Sequence, residues 1–263
     1  MSVSLQGNIF VTGSNRGIGL ELVKQLAEKT GAHIYSCCKD PDGRQAQALR
    51  ELTIQHAGKI TMIKLDTSDE TSISSAVQNV TKHIGPGSLN LLINNAAINK
   101  PVTPAPLSAT GKADMMEVYE TNVVGPFLLS KMFLPLLQRA AESSLPEDEG
   151  NGMSCRRSAI INISSVISSI EKCPETFAAA PMYPYRISKA ALNMLTRCQA
   201  EDFSRHNILV TAIHPGWVRT EMGGQQAPLT PEDSVLGMLI VMSSLRNKHS
   251  GMLIDWQGNT IPW

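Results

Sequence analysis

The sequence lacks a net charge, a signal peptide and any apolar run long enough to cross a bilayer. It has 23 Lys and Arg against 23 Asp and Glu, so its formal net charge is +0, and we expect no strong electrostatic attraction to nucleic acid or to an anionic membrane. The longest apolar stretches, such as residues 237–242, are much shorter than the roughly 20 residues that span a membrane. Because no basic segment precedes an apolar core near residue 1, the cytoplasm is the expected location.

The sequence also has little cysteine and no metal-binding pattern. Its five cysteines are an odd number without regular spacing, which does not suit a disulfide framework. Cys37 and Cys38 are adjacent and could form a redox switch, but we interpret them as small apolar residues of a buried strand. The six histidines form no H-x-x-x-H pair and no cluster with cysteine, so no metal site is expected.

Most of the chain alternates between short apolar runs and longer amphipathic segments. The apolar runs are rich in Ile, Leu and Val and predict strands that are buried on both faces of a parallel sheet; they cover residues 8–12, 33–38, 60–65, 89–94, 158–164, 208–213 and 251–254. Helical periodicity covers residues 17–29, 69–83, 113–139, 185–205 and 231–245. Ser68 is the candidate N-cap of the second helix.

This alternation predicts an α/β fold, with a doubly wound parallel sheet and helices on both faces. No internal repeat and no linker divides the 263 residues. We therefore predict one domain over residues 1–263, because α/β folds reach this size as single units. Three segments have the composition of loops, namely residues 99–112, 142–157 and 221–230.

A glycine-rich turn, TGSNRGIG at residues 12–19, lies between the first predicted strand and the first predicted helix. Glycine is needed where the backbone bends sharply or where a pyrophosphate must approach it closely. The helix that follows aims its N-terminal amide groups at an anion. Glycine triplets alone are weak evidence, but a strand before and a helix after them indicate dinucleotide binding. A P-loop is excluded because no Gly-Lys-Ser/Thr follows.

The end of the second predicted strand bears on the choice between NADPH and NADH. An acidic side chain at this place would bind the ribose of NAD, whereas a basic one would accept the 2′-phosphate of NADP. Cys38 stands where the acid is expected, Lys39 follows it, and Arg16 of the glycine turn adds a second cation. Two cations suit a phosphate dianion, so we favour NADPH/NADP⁺ over NADH, although Asp40 could serve as a ribose ligand.

The stretch YPYRISK at residues 183–189 contains two tyrosines and a lysine. If a helix begins near Tyr185, then Lys189 lies four residues on and on the same helical face. Tyr183 would point elsewhere, and Pro184 suits the first turn of a helix. Tyr185 and Lys189 are therefore the candidate pair, although an isolated Tyr-x-x-x-Lys is most often two unrelated surface residues.

Seven segments together resemble the classical short-chain dehydrogenases/reductases, in that family's order and over nearly the whole chain. They are TGSNRGIG at 12–19, Asp66 in KLDTSD, NNAA at 94–97, Asn122 in YETNVVG, NISS at 162–165, YRISK at 185–189 and HPGWVRT at 214–220. Each segment alone is weak, whereas the combination is specific. Details such as YRISKAALN and DWQGNTIPW are similar to the C-factor and Sniffer carbonyl reductase branch.

The resemblance implies a single Rossmann domain with a seven-stranded parallel sheet and an NAD(P) cofactor across the carboxyl ends of the strands. It implies that the catalytic residues are Asn122, Ser165, Tyr185 and Lys189. Together with the glycine turn, it places cofactor contacts at Gly13, Asn15, Arg16, Gly17, Ile18, Gly19, Cys38, Lys39, Asp66, Thr67, Asn94, Ala96, Tyr185, Lys189, Pro215, Gly216, Val218 and Thr220.

Three features depart from the family's pattern. Ala97 stands where the family usually has glycine. Ser165 precedes Tyr185 by 20 residues, a longer interval than usual, so residues 166–184 should loop out at the substrate mouth. That interval leaves Ser164 as an alternative to Ser165, and the family's pattern favours the second serine. The expected substrate lid, residues 221–234, is short.

Carbonyl reduction needs a hydride for the carbon and a proton for the oxygen. The cofactor supplies the hydride. A tyrosine with a pKa near 10 transfers protons poorly at neutral pH, and we expect the Lys189 ammonium to lower that pKa. Ser165 would bind the substrate oxygen. The resemblance further implies that Lys189 binds the nicotinamide ribose and that Asn122 holds a water that returns protons to it.

The sequence therefore predicts an NADPH-dependent carbonyl reductase that acts on a small hydrophobic aldehyde, ketone or quinone. The pocket should come from residues 95–102, 166–184 and 217–232, which are mostly apolar. A homodimer or homotetramer is plausible through the helices at 113–139 and 185–205. Two alternatives stay open, namely an NADPH-binding regulator with little turnover and an extended-type epimerase or dehydratase. Enzymes of the extended type carry a glycine loop that resembles G-x-x-G-x-x-G, whereas the glycine loop of this chain reads G-x-x-x-G-x-G.

Overall fold

The computed structural model describes residues 3–101, 105–143 and 152–263. These residues form one eight-stranded sheet in the order β3-β2-β1-β4-β5-β6-β7-β8. The strands are β1 Asn8–Val11, β2 His33–Cys38, β3 Ile60–Lys64, β4 Leu91–Asn94, β5 Ala159–Ile163, β6 Leu209–His214, β7 Leu253–Asp255 and β8 Thr260–Ile261. Seven strands are parallel, as predicted. The eighth was not predicted, and it pairs antiparallel with β7.

Helices cover both faces of the sheet, which confirms the doubly wound α/β prediction. They are α1 Gly17–Lys29, α2 Gln47–Gln55, α3 Glu70–Ile84, α4 Lys112–Tyr119, α5 Gly125–Glu142, α6 Cys173–Thr176, α7 Tyr183–Phe203 and α8 Pro231–Ser244. One apolar core joins the sheet to α1, α2 and α8. A second core joins the opposite face to α3, α5 and α7. Among the described residues, no helix has the length and apolar character needed to span a membrane.

The central strands are buried on both faces, as their continuous apolar runs predict. In β5, all five residues of AIINI are buried, and β4 is likewise buried throughout. Ile9 and Val11 of β1 face the core beneath α1 and α8, whereas Phe10 points to the other core, where its ring lies 4.7 Å from that of Phe133. Alternate residues therefore serve the two layers of helices.

Two helix predictions differ from the structure in detail, and the short helices α2 and α6 were not predicted. Asp69, rather than Ser68, caps α3, because its carboxylate accepts a hydrogen bond from the Thr71 amide at 2.9 Å. The long segment 113–139 is two helices, α4 and α5, joined by a π-helical turn over Glu120–Val124. Of the predicted loop at residues 142–157, residues 144–151 lie outside the described residues, and so does residue 102 of the predicted pocket.

The strand order reverses between β1 and β4, because the chain first builds β2 and β3 on one side of β1 and then continues on the other. Crevices at such a switch point, outside the carboxyl ends of the strands, are where open α/β sheets bind their ligands. The glycine turn follows β1, and NNAA follows β4. The fold thus brings these two predicted motifs to the same crevice.

Candidate active site

The glycine turn is closely packed against the segment that follows β4. Gly13 has a φ of 66°, and a Cβ added to it would lie 2.9 Å from the Cα of Ala96. A Cβ on Gly19 would lie 2.0 Å from the carbonyl oxygen of Gly13. The Thr12 hydroxyl accepts hydrogen bonds from the amides of Asn95, at 3.0 Å, and Ala96, at 2.9 Å. Glycine is therefore required at positions 13 and 19 for the turn to pack in this way.

A cleft of about 840 Å³ runs from this turn to α7. Most of the predicted cofactor residues line it, namely Gly13, Asn15, Arg16, Gly17, Ile18, Gly19, Cys38, Lys39, Thr67, Ala96, Tyr185, Lys189, Pro215 and Thr220. The lining does not include Asp66, Asn94, Gly216 and Val218, nor the predicted catalytic residues Asn122 and Ser165. Ile98, Arg219 and Glu221 also line the cleft and lie within the predicted pocket segments, whereas Arg44 was not predicted and no residue of 166–184 lines it. Ser164, the alternative to Ser165, is among the lining residues.

Tyr185 and Lys189 lie at the far end of the cleft from the cations. Helix α7 begins at Tyr183 with Pro184 in its first turn, so the two side chains share one helical face as the spacing predicts. The Lys189 Nζ lies 5.5 Å from the centroid of the Tyr185 ring and donates to the carbonyl oxygen of Ile163 at 2.7 Å. The ammonium and the phenol are thus neighbours against the end of β5.

Burial shifts the pKa of both groups. It raises the pKa of Tyr185 to about 12 and lowers the pKa of Lys189 to about 7. The rise for Tyr185 comes from burial, which removes hydration from the phenolate; a lowering of this pKa by the Lys189 ammonium stays a prediction. Tyr185 consequently keeps its proton at neutral pH.

The two serines of NISS have different surroundings. The Ser164 hydroxyl donates to Oδ1 of Asn193 at 2.6 Å, and the Asn193 amide donates to the Ser168 hydroxyl at 2.7 Å. The Ser165 hydroxyl instead accepts only a long bond, 3.4 Å, from the amide of Ile167. Ser164 is therefore committed to a buried network, whereas Ser165 retains its hydroxyl proton for another acceptor.

Asn122 lies in the π-helical turn and is fully buried. Its side chain bridges Ile98, donating to the carbonyl at 2.9 Å and accepting from the amide at 2.9 Å. The same amide group donates to the Ser188 hydroxyl at 3.0 Å, and this hydroxyl donates to the carbonyl of Tyr185. Asn122 thus joins the segment after β4 to the first turn of α7. Single π-helical turns occur often at functional sites.

At the opposite end of the cleft, both predicted phosphate-binding cations are paired with carboxylates. Lys39 Nζ lies 3.0 Å from Asp66, and Arg16 forms an ion pair with Glu221. Burial alone would raise the pKa of Asp66, but hydrogen bonds from Ser68 and the contact with Lys39 lower it. The surroundings of Asp66 thus keep its carboxyl ionised. All four ion-paired side chains are at least one-third exposed.

The segments after β4 and β6 adjoin the end of the cleft that holds Tyr185 and Lys189. Asn94 donates to Oδ1 of Asn162 at 2.8 Å, which ties β4 to β5. The Pro215 carbonyl accepts from the Ser234 hydroxyl at 2.6 Å, which fixes the start of α8. Beyond Pro215, Val218 pairs with Leu229 in an isolated bridge that closes the base of the predicted lid.

The site fits an extended dinucleotide. The cleft has a tightly packed glycine turn at the N-terminus of α1, cations at one end and a tyrosine–lysine pair at the other. A side chain on Gly13 or Gly19 would clash with the protein itself, and glycines of such a turn leave the backbone open to a pyrophosphate. Such an arrangement is typical of α/β domains that bind dinucleotides.

A comparison with protein families narrows this class. The family model for short chain dehydrogenases matches residues 7–229. The chain belongs to the short-chain dehydrogenase family, which confirms the resemblance seen in its motifs, and it is an oxidoreductase.

Curated relatives agree with this assignment. C-signal of Myxococcus xanthus is 35% identical over 177 residues, which are 67% of this chain and 94% of the relative. An uncharacterized oxidoreductase of Schizosaccharomyces pombe is 30% identical over 273 residues, or 97% of each chain.

Two solved structures resemble the whole chain. The NADPH-bound carbonyl reductase from chicken fatty liver is 40% identical with a TM-score of 0.91, and the match covers 98% of this chain and all of the other. Carbonyl reductase Sniffer of D. melanogaster is 32% identical with a TM-score of 0.88, with the same coverage. The predicted Sniffer-like and C-factor-like branch is thereby confirmed as the set of proteins that this chain resembles.

Proposed function

We propose that this protein is an NADPH-dependent carbonyl reductase. The observation that carries the proposal is the placement of Tyr185 beside Lys189 at one end of a cleft whose other end holds the glycine turn and exposed cations. The similarity to two carbonyl reductases over their whole length supports the same reaction. Residues 1–263 would act as one domain, with residues 221–234 as the lid.

The cofactor is NADP(H). The chicken protein is NADPH-bound and is 40% identical to this chain. Lys39 and the newly recognised Arg44 line the cleft beyond β2, where a 2′-phosphate would lie, and Arg16 lines it from the glycine turn after β1. Among the described residues, Arg44 forms no ion pair with a carboxylate, so its charge is available to a phosphate. The glycine turn and α1 would bind the pyrophosphate.

When bound, the cofactor supplies the hydride. Tyr185 supplies the proton to the carbonyl oxygen. The phenol is protonated at neutral pH, as an ordinary tyrosine would be, and burial, which raises its pKa to about 12, favours this form further; it is the form that reduction requires. General acid catalysis of this kind contributes typically about 10²–10⁴-fold in rate. Ser165, whose hydroxyl proton is not engaged by Asn193, would donate a hydrogen bond to the same carbonyl oxygen.

Lys189 and Asn122 would support this proton transfer. The Lys189 ammonium, held on the carbonyl of Ile163, stabilises the phenolate that forms when Tyr185 gives up its proton, and it would bind the nicotinamide ribose. Both amide hydrogens of Asn122 are engaged by Ile98 and Ser188. A water that relays protons to Lys189 would therefore have to donate to an oxygen of Asn122 rather than accept from its side chain.

The proposed substrate is a small hydrophobic aldehyde, ketone or quinone. The proposed cellular location is the cytoplasm. Exposed apolar side chains near the cleft, such as Trp217 and Met222, suit such a compound. A homodimer or homotetramer would cover a second apolar surface formed by α4, α5 and α7, whose exposed members are Met116, Tyr119, Phe127, Ile187 and Met194.

A regulator that binds NADPH without turnover is the second candidate, because C-signal is a relative at 35% identity. An epimerase or dehydratase of the extended type is disfavoured, since carbonyl reductases match 98% of this chain. The proposal and the second candidate differ in catalysis and agree in cofactor binding.

The test is NADPH oxidation by the purified protein with a panel of aldehydes, ketones and quinones, alongside NADPH and NADH binding. We expect turnover with apolar members of the panel and tighter binding of NADPH than of NADH. Tight NADPH binding with no turnover on any carbonyl would favour the regulator. Absence of binding to either cofactor would contradict both.

A further inference from the structure

Arg186 follows Tyr185 in α7, and it is a buried cation without a carboxylate. Its exposed fraction is 7%, and no acidic group of the described residues lies within ion-pair distance of it. Burying a charge is costly unless hydrogen bonds satisfy it. The partners of this guanidinium therefore indicate what it stabilises.

All the hydrogen-bond acceptors of Arg186 lie in the segment 166–182, which joins Ser165 to the start of α7. Nε donates to the carbonyl of Ala180 at 2.6 Å, and Nη1 donates to the carbonyl of Ile167 at 2.9 Å and to the hydroxyl of Thr176 at 3.1 Å. These acceptors lie near the beginning, the middle and the end of the segment. One planar fork thus fixes the path of the whole segment.

An aromatic contact reinforces this arrangement. The guanidinium carbon of Arg186 lies 5.6 Å from the centroid of the Phe177 ring, which is within cation–π range. Phe177 in turn packs edge-on against Tyr183, with the ring centroids 5.6 Å apart. Nη2 of Arg186 is buried and makes no hydrogen bond among the described residues.

The segment joins the two proposed reacting residues, Ser165 after β5 and Tyr185 in α7. It follows Ser165 directly and reaches α7 two residues before Tyr185. It carries two exposed apolar side chains, Ile170 at 75% exposure and Phe177 at 37%. None of its residues lines the described cleft, so only the part of a carbonyl compound that extends outward from Ser165 and Tyr185 would reach this segment.

We propose that Arg186 is a positioning residue that sets the substrate range, by holding segment 166–182 as an apolar wall for the part of a large substrate that extends beyond the carbonyl group. This inference rests on the proposed carbonyl reductase function. A small aldehyde would not reach the wall, whereas a two-ring compound would pack against it. Loss of the fork should therefore affect large substrates selectively.

The experiment compares two carbonyl substrates, propanal and a two-ring quinone, in three variants. Arg186→Met removes the charge and the fork, and Arg186→Lys keeps the charge without the fork. Arg197→Met is the matched control, because Arg197 lies on the same helix, is about half exposed and pairs with Glu201 at 2.9 Å. For both Arg186 variants we expect the KM of the quinone to rise by about tenfold with kcat retained. The kcat/KM of propanal and the Kd of NADPH should stay within about twofold, and the control should match the unmodified protein.

Thr176→Val provides a second route if the Arg186 variants do not fold. It removes one acceptor and leaves the guanidinium in place, so the KM of the quinone should rise by about twofold to threefold, with propanal unaffected. An equal fall in kcat for both substrates, or unchanged selectivity in every variant, would overturn the positioning role. If the unmodified protein turned over neither substrate nor any other carbonyl, the proposed function itself would be wrong and this inference would fall with it.

Discussion

The two ends of the cleft are built differently. At the proposed reacting end, Lys189 is 2% exposed and is held by a hydrogen bond to the carbonyl of Ile163, and burial lowers its pKa to about 7. At the cation end, Lys39 and Arg16 are more than half exposed and hold carboxylates on other segments. Packed, buried side chains thus fix the geometry of the first end, whereas exposed ion pairs that can exchange partners fix the geometry of the second.

This contrast has a consequence for how each end responds to change. Charges in a water-excluded site interact strongly and are insensitive to salt, whereas exposed pairs contribute about 0–1 kcal/mol and are screened. Substitutions at the reacting end should therefore produce large effects that salt does not alter. Substitutions at the cation end should produce smaller, salt-dependent effects on cofactor choice.

The largest expected effect is that of Tyr185→Phe on turnover. Removal of the proton donor should lower kcat by about 10²–10⁴-fold, measured as NADPH oxidation, with the Kd of NADPH within about twofold of the original. Tyr183→Phe is the control, because its ring would still pack on Phe177, and it should keep nearly full activity. Full activity in Tyr185→Phe would remove the basis of the proposed mechanism.

A second substitution sharpens the contrast through stability. Because burial lowers the pKa of Lys189 from 10.5 to about 7, its charge destabilises the folded state fully below pH 7. The unfolded chain binds more protons between pH 7 and 10.5, so this cost shrinks as the pH rises through that window. After allowance for the lost hydrogen bond to Ile163, Lys189→Met should raise the free energy of unfolding by about 2 kcal/mol at pH 6.

The measurement is urea unfolding at pH 6, 8 and 10, and the gain should decline along that series. Lys131→Met, an exposed lysine of α5, is the control and should change the stability little at any of these values. A variant of Lys189 that is less stable than the original at every pH would show that its hydrogen bond outweighs the cost of burying its charge.

At the cation end, Lys39→Ala should weaken NADPH binding by about tenfold and NADH binding by less than twofold, since one charge-assisted contact to phosphate is lost. Arg44→Ala should act in the same direction. Lys82→Ala, an exposed lysine on α3, is the control. Equal losses for NADPH and NADH would contradict the assignment of this end to the 2′-phosphate.

The smallest expected effect is that of Glu221→Gln. This change releases Arg16 from its ion pair and removes a negative charge near the proposed phosphate position. NADPH binding should tighten by about twofold to threefold in low salt and should be unchanged in high salt. Glu28→Gln, on the exposed side of α1, should have no effect. A gain that persists in high salt would mean that Glu221 acts by shape rather than by charge.

The fold follows from the sequence where a local pattern determines it. Helix α1 covers the predicted residues 17–29, because a glycine turn starts it and its apolar stripe faces the core. Helix α2, QALRELTIQ, was missed because only Leu49 and Leu52 of its residues are buried. The two residues of β8 were missed because so short a strand depends on its pairing with β7 rather than on its own pattern.

Only those parts of the site that depend on the spacing of residues along the chain could be predicted from the sequence. The four-residue interval predicts that Tyr185 and Lys189 lie on one face of a helix. The order of strand, glycine turn and helix predicts a cleft at the end of β1. The π-helical turn at Asn122 could not be predicted, since one extra residue in a turn leaves the apolar periodicity of the segment nearly unchanged. The contribution of burial to the pKa of Tyr185 could not be predicted, because burial depends on neighbours that are distant in sequence.

Strand β8 affects more than the count of strands. By pairing with β7 it becomes the edge of the sheet, and an edge strand of two residues offers other chains little to pair with. Just beyond it, the carbonyl of Trp263 accepts from the amide of Glu171 at 3.0 Å. The last few residues therefore limit edge-to-edge pairing and also hold Glu171 of the proposed wall, so we expect a tag fused after Trp263 to change solubility and, if the wall proposal holds, substrate choice as well.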